Sequence, residues 1–178
     1  MKKILILLLL FVATFVNAQC YTKFKGIEIK GNIDAFGAQL EKQEFKLLEK
    51  GATSYGYQGK LSGEDVALIV YFSLKSHTVS AVTVFFDDKG IRSLMERRYD
   101  YLQELLTQKY GEPAEKDVHT DNQTIYNYCT RWKDECGGVS LKMVKTPVSK
   151  YNDVENVIIT YWSKEGDDLS KTELSEDL

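Results

Sequence analysis

YQGKLSGEDVALIVYF, residues 57–72, is the stretch on which the fold class turns. Val66, Leu68, Val70 and Phe72 alternate with Ala67, Ile69 and Tyr71, the period of two expected of a β-strand that buries one face. Ser62-Gly63-Glu64-Asp65 places turn-forming residues ahead of that run, so the stretch reads as a hairpin pairing Leu61 with Val66 and Tyr57 with Val70. Downstream, Val82, Val84 and Phe86 alternate with Thr83 and Phe85 and supply another strand. The flanking segments switch to helical spacing. Upstream, Gly31-Asn32 offers a turn and an N-cap, with Ile33, Phe36 and Leu40 recurring before Phe45. Downstream, Ser93 and Glu96 have the spacing of a capping box, and Leu94, Met95, Leu102, Leu105 and Leu106 are expected on one helical face. Tyr110-Gly111-Glu112-Pro113 ends that helix with a glycine and a proline.

Further along, the pattern returns at an offset of 75: Tyr57 falls on Trp132, Gly63 on Gly138, Val66 on Leu141, Leu68 on Met143, Val79 on Val154, Val82 on Val157, Val84 on Ile159 and Phe86 on Tyr161. At an offset of 66, Ile33 falls on Tyr99, Phe36 on Leu102 and Leu40 on Leu106, which places an insertion of nine residues around Val118 to Thr124. The expected fold is α+β: two tandem helix-plus-antiparallel-meander units forming one sheet with two helices packed on one face. The first unit covers residues 19–90 and the second 91–166. Phe24 to Ile29 reads as an extra edge strand, and residues 167–178 as an acidic tail, frayed or loosely docked for lack of apolar residues.

FKGIEIKGNIDAFGAQLEKQEF, YQGKLSGEDVALIVYF, VSAVTVFFDD, LLTQKYGEPAE and the Asp-Leu terminus together resemble a group of small exported proteins of gut anaerobes, over most of the chain. The helix-plus-meander outline also resembles the tandem fold of the β-lactamase inhibitory protein and, more loosely, the saddle of the TATA-binding protein. The resemblance brings no catalytic residue with it. It implies a glycine before a phenylalanine at the end of the first helix, where this chain has Glu44 before Phe45.

Residues 1–18, MKKILILLLLFVATFVNA, have the three parts of a secretory leader: Lys2 and Lys3, an apolar run from Ile4 to Val16, and small residues ahead of a cut after Ala18. That run is shorter than the roughly 20 residues that cross a bilayer, so no membrane span is expected. The mature product, about 160 residues, is read as periplasmic or secreted. Gln19 stands before Cys20, where a lipoprotein cut needs a small residue, which favours simple cleavage over lipid anchoring. A formal net charge of −3, without a Lys/Arg cluster, excludes nucleic acid as a partner, because phosphate contacts need a basic footprint. Three cysteines, Cys20, Cys129 and Cys136, leave at least one thiol free in a monomer. Strand alternation sends Cys129 and Cys136 to opposite faces, while a bridge from Cys20 to either stays open.

The chain has no Gly-x-Ser-x-Gly elbow, and its only imidazoles are His77 and His119. Asp117, His119 and Asp121 alternate and are the candidate ligands for a divalent metal and a metal-assisted hydrolase, set against the reading of a solvated loop. No cofactor, resident metal or catalytic residue is expected. The apolar count points elsewhere. With Tyr57, Val66, Leu68, Val70, Val84, Trp132, Leu141, Met143 and Ile159 beneath the helices, the opposite sheet face still carries Ile69, Tyr71, Phe85, Val144, Ile158 and Trp162, joined by parity with Arg131, Lys133 and Lys142. Large apolar groups mixed with basic ones are typical of protein contact surfaces, and the expected function is a non-enzymatic interaction or inhibitor-type domain, with a protein partner or a homodimer. A carbohydrate-binding module, with Tyr71 and Trp162 stacked on sugar rings, is the alternative.

Overall fold

A computed structural model describes residues 22–86, 91–117, 125–149 and 152–176. Among these, three helices accompany an eight-stranded sheet and a separate two-stranded one, a mixed α+β fold in which every strand pairing is antiparallel.

The first strands, β1 (Lys23–Phe24) and β2 (Ile27–Glu28), pair only with each other, so the expected extra edge strand is instead a small hairpin. Lys25 and Gly26 both have positive φ, the conformation that closes a two-residue hairpin. Helix α1 (Ile33–Lys42) starts as its sequence indicates: the Asn32 side chain accepts a 2.8 Å hydrogen bond from the Asp34 N–H, and Ile33, Phe36 and Leu40 are buried. Glu44, beyond its end, adopts a φ of 68°.

Four strands follow: β3 (Lys46–Lys50), β4 (Ser54–Leu61), β5 (Glu64–Phe72) and β6 (Val79–Phe86). Helix α2 (Arg92–Tyr110) then leads to β7 (Glu115–Asp117), β8 (Ile125–Asp134), β9 (Gly137–Ser149) and β10 (Asn152–Ser163), and α3 (Lys164–Glu176) closes the chain. The order across the large sheet is β3-β4-β5-β6-β10-β9-β8-β7. Each run of four strands is thus contiguous, and the two meet where β6 lies beside β10, with Val84 opposite Ile159 and Thr83 opposite Thr160. There the Thr83 and Thr160 hydroxyls hydrogen-bond across the joint at 3.0 Å.

Two registers differ from expectation. The β4–β5 hairpin pairs Leu61 with Glu64 and Tyr57 with Leu68, because Ser62 and Gly63 both take positive φ and turn the chain in two residues. In β8–β9 the turn is Glu135-Cys136, where an offset of 75 would set it at Gly137-Gly138. The two hairpins therefore do not correspond residue for residue at one constant offset.

The core lies between the sheet and α1 and α2. All nine residues expected on the helix-covered face are buried, together with Phe24, Phe45, Met95, Tyr99 and Leu106. Tyr99, not Leu94 or Leu105, holds the middle of the buried stripe of α2; both leucines are exposed. The Tyr99 hydroxyl bonds the Thr130 hydroxyl at 2.8 Å, and Trp132 Nε1 donates to the Gly111 carbonyl at 3.0 Å, fixing α2 on β8. The capping box does not form. Ile91 is the N-cap and makes no side-chain cap bond; Ser93 falls inside the helix and Glu96 accepts from Arg92 Nε at 3.0 Å.

The acidic tail is also corrected: residues 164–176 are helical, making a third helix where two were expected. Gly166 lies where any side chain would strike the Ser80 backbone. Glu173 accepts from the Ser73 hydroxyl and, at 3.1 Å each, from the backbone N–H groups of Lys75 and Ser76. These contacts stabilise a helix with little apolar surface of its own.

Candidate interaction face

Strand register decides which side chains stand side by side on the face away from α1 and α2. One row runs Tyr71, Ala81, Trp162, Gly138, Lys133; the next runs Ile69, Thr83, Thr160, Ser140, Arg131; the third runs Ala67, Phe85, Ile158, Lys142, Cys129. Eight of the nine residues expected on this face fall in those three adjacent rows. Val144 stands one row further, opposite Asn156, and at 6% exposure it offers a partner almost nothing. Tyr71, 39% exposed, and Lys133 are open to solvent, while Ile69, Phe85, Arg131, Lys142, Ile158 and Trp162 are half-buried.

The middle of the face is built of small groups. Ala81, Gly138, Thr83, Thr160 and Ser140 flank Trp162, whose ring lies so close over Gly138 that a Cβ there would sit 2.9 Å from Cζ2. The apolar and basic residues separate to its two sides, Ile69, Tyr71 and Phe85 on β5 and β6, Arg131, Lys133 and Lys142 on β8 and β9. Glu115 on β7 accepts from Lys133 Nζ and, at 2.7 Å, from Arg131 Nη1. The Lys133 hydrogen bond foremost, and the Arg131 one next, hold its carboxyl down to about 2. Two cations against one carboxylate leave that corner positive. Burial raises the Tyr71 phenol, which therefore stays protonated at neutral pH as a hydrogen-bond donor.

Two concavities adjoin the face, neither visible in the sequence because each is made by segments far apart in it. One, about 380 Å³, lies between Tyr71, Ser80, Ser170 and Glu173, with α3 as a wall. The Ser73 hydrogen bond, chiefly, lowers the Glu173 carboxyl. The other, about 440 Å³, lies between the β1–β2 hairpin and the β8–β9 turn, and gathers Lys23, Lys25, Lys109, Tyr110, Trp132 and Lys133. Only positive φ at Lys25 and Gly26 folds the first two lysines back to meet the others.

Of the candidate metal ligands, Asp117 ends β7, whereas His119 and Asp121 lie outside the described residues. Among the described residues no three His, Cys, Asp or Glu side chains gather as a metal site. His77 sits exposed in the β5–β6 turn with a φ of 55°, its ring edge-on to Phe72 at 5.8 Å. Cys129 is buried, and Cys136 is disulfide-bonded. Among the described residues no helix is long and apolar enough to cross a membrane. No protein-family model, curated protein or solved structure matches the chain.

Proposed function

We propose that this is an exported, non-enzymatic binding protein that docks a protein on the second face of its sheet, the simplest partner being a second copy. The observation that carries the reading is the register: residues far apart in sequence stand in adjacent rows with apolar groups at one side, cations at the other and Trp162 between. A twofold axis near β10 would lay Tyr71 of one copy against Lys133 of the other, an aromatic ring against an ammonium group in both halves of a self-complementary contact. Export rests on the leader at residues 1–18 and the cut after Ala18. The finer account of the fold, a duplicated helix-plus-meander unit, is part of the proposal; its support is that α1 and α2 are each followed by four strands that stay contiguous in the sheet.

Light scattering across a concentration series tests the docking face. The expected result is a dimer that Trp162→Ala and Phe85→Ala weaken, with Tyr71→Glu, at an exposed position, as the variant that keeps the fold. A wild-type chain monomeric throughout the series, and unchanged by all three substitutions, would sink the proposal.

A second reading has one specific support: Tyr71 and Trp162 share a row with only Ala81 between them, so two aromatic residues stand two strands apart, about 10 Å between their backbones, on one face. It expects oligosaccharides to quench tryptophan fluorescence, and a flat response across a glycan panel removes it.

A further inference from the structure

The concavity of about 440 Å³ beside the β8–β9 turn has the opposite charge to the chain that forms it. The formal net charge of the sequence is −3, yet Lys23, Lys25, Lys109 and Lys133 line this hollow, with Asp134 the one acid among the described residues of its wall. Nearby carboxylates do not restore the balance. Glu28 is shared between Lys23 at 3.3 Å and Lys30 at 2.7 Å, Glu115 is shared between Lys133 and Arg131, and Asp134 Oδ1 accepts from the Cys136 N–H at 2.8 Å. Lys25 Nζ donates to the Lys60 carbonyl at 3.4 Å and lies 5.0 Å over the Phe45 ring, and Lys109 Nζ lies 4.9 Å over the Tyr110 ring. A carbonyl and two rings attract an ammonium group without cancelling its charge. Lys23, Lys25, Lys30, Lys109, Arg131 and Lys133 thus stand against Glu28, Glu115 and Asp134, an excess of three positive charges. Behind the charges the wall is apolar. Trp132 and Val139 are buried, the Trp132 N–H is already bonded to the Gly111 carbonyl, and Tyr110, 37% exposed, adds a second ring.

The residue types narrow the ligand. The planar fork that grips a carboxylate by two parallel bonds belongs to arginine, and among the described residues no arginine lines this hollow. Ammonium groups are compact point charges, and several of them suit an oxyanion of high charge density with oxygens pointing several ways. The volume falls in the range of about 300–1,000 Å³ that encloses a small organic molecule. We propose that this concavity binds a small phosphate- or sulfate-bearing organic anion, the ester group held by the lysines and the carbon body laid against Tyr110 and the Trp132 wall. The site adjoins the docking face, sharing Lys133 and Gly138 with it, whereas Lys25 and Lys109 belong to the concavity alone.

Isothermal titration at low salt with glucose 6-phosphate, glucose 6-sulfate, glucose and inorganic phosphate is the test. At least one ester should bind, with an affinity that falls as salt rises, and the arm that responds tells phosphate from sulfate. Glucose should give no heat, and inorganic phosphate, lacking a body to lay on the rings, should bind about tenfold more weakly than the better ester. Lys25→Gln combined with Lys109→Gln, both at exposed positions, should weaken that ester about tenfold or more and leave the thermal midpoint in place. Silence from both esters up to about 10 mM overturns the proposal, as does glucose or inorganic phosphate binding as tightly as the better ester, or wild-type affinity in the double variant. Light scattering of that variant should match wild type, so this proposal and the docking face fail independently.

Discussion

The joint between β6 and β10 makes a quantitative prediction through the Thr83–Thr160 pair. The two hydroxyls lie 3.0 Å apart, Thr83 is only 5% exposed and Thr160 half-buried. Thr83→Val replaces a hydroxyl with a methyl of nearly the same shape and leaves Thr160, which water reaches, with its partner lost; the net loss of one such bond is about 0.5–1.5 kcal/mol. Thr160→Val strands the hydroxyl of Thr83 in the interior, and an unmet buried group costs about 1–3 kcal/mol. The double variant removes both polar groups and sets two methyls in contact, each worth about 0.8 kcal/mol when buried, so it should return close to the wild-type stability. The expected order is therefore Thr160→Val worst, Thr83→Val intermediate and the pair nearly neutral, with a coupling of about 3 kcal/mol. Urea unfolding of all four proteins gives the values as midpoint shifts at a common slope. Single losses that simply add in the double variant would show that the two hydroxyls do not depend on each other, and would refute the account of the joint.

Three further outcomes follow from geometry elsewhere. Glu44→Gly should stabilise the protein by about 1 kcal/mol, since a left-handed conformation at a φ of 68° strains a residue with a Cβ; a calorimetric midpoint that falls contradicts this. Gly59→Ala should cost about 1–3 kcal/mol, because the new methyl would collide with the buried Phe45 ring; adding Phe45→Leu should return part of the loss, and strict additivity in urea would disprove the collision. Glu115→Gln bears on acid stability: the carboxyl is held down to about 2 in the fold against an ordinary 4.5, so its contribution is present above pH 4.5 and lost as pH falls through about 2. The variant should flatten the fall in stability across that window, and an acid limb identical to wild type argues against the Lys133 and Arg131 bonds.

Strand positions were legible because burial of one face imposes a period of two, and that rule places Tyr57, Val66, Leu68, Val70, Val84, Trp132, Leu141, Met143 and Ile159 correctly in the core. The β4–β5 register was not, since it depends on Ser62 taking positive φ, a choice that serine does not announce. The start of α2 was misplaced because Ser93 and Glu96 imitate a capping box that the helix overruns. Helix α3 looked like tail because its composition is polar; what orders it is tertiary, Glu173 on the β5–β6 turn and Gly166 on Ser80. Signs were present even so: an acidic first turn and Asp167 four residues before Lys171, which pair at 2.6 Å. At the site, parity found the members of the face but not their exposure, which depends on neighbouring strands. Val144 is sealed for that reason, and the lysines of the larger concavity escaped notice because three separate segments bring them together.

The contrast between the two sheet faces is the strongest physical reason to treat the second one as working surface. Along β5, Leu68 and Val70 are almost wholly buried, whereas their neighbours Ile69 and Tyr71 stay partly open. A face kept only for packing would have bulky groups along its middle, where three strands converge and burial stabilises most. Here the central strands carry Ala81, Gly138, Thr83, Thr160 and Ser140 beside Phe85, Ile158 and Trp162, so small and large groups share the middle. Small residues at the centre forgo packing energy within the chain, yet Gly138 lets the half-buried Trp162 ring lie close against the sheet. Large aromatic groups framed by small neighbours contribute more to an intermolecular contact than to an internal core, because a partner can enclose them on several sides. The fold therefore draws its cohesion from the face beneath α1 and α2 and keeps the other comparatively free of that duty.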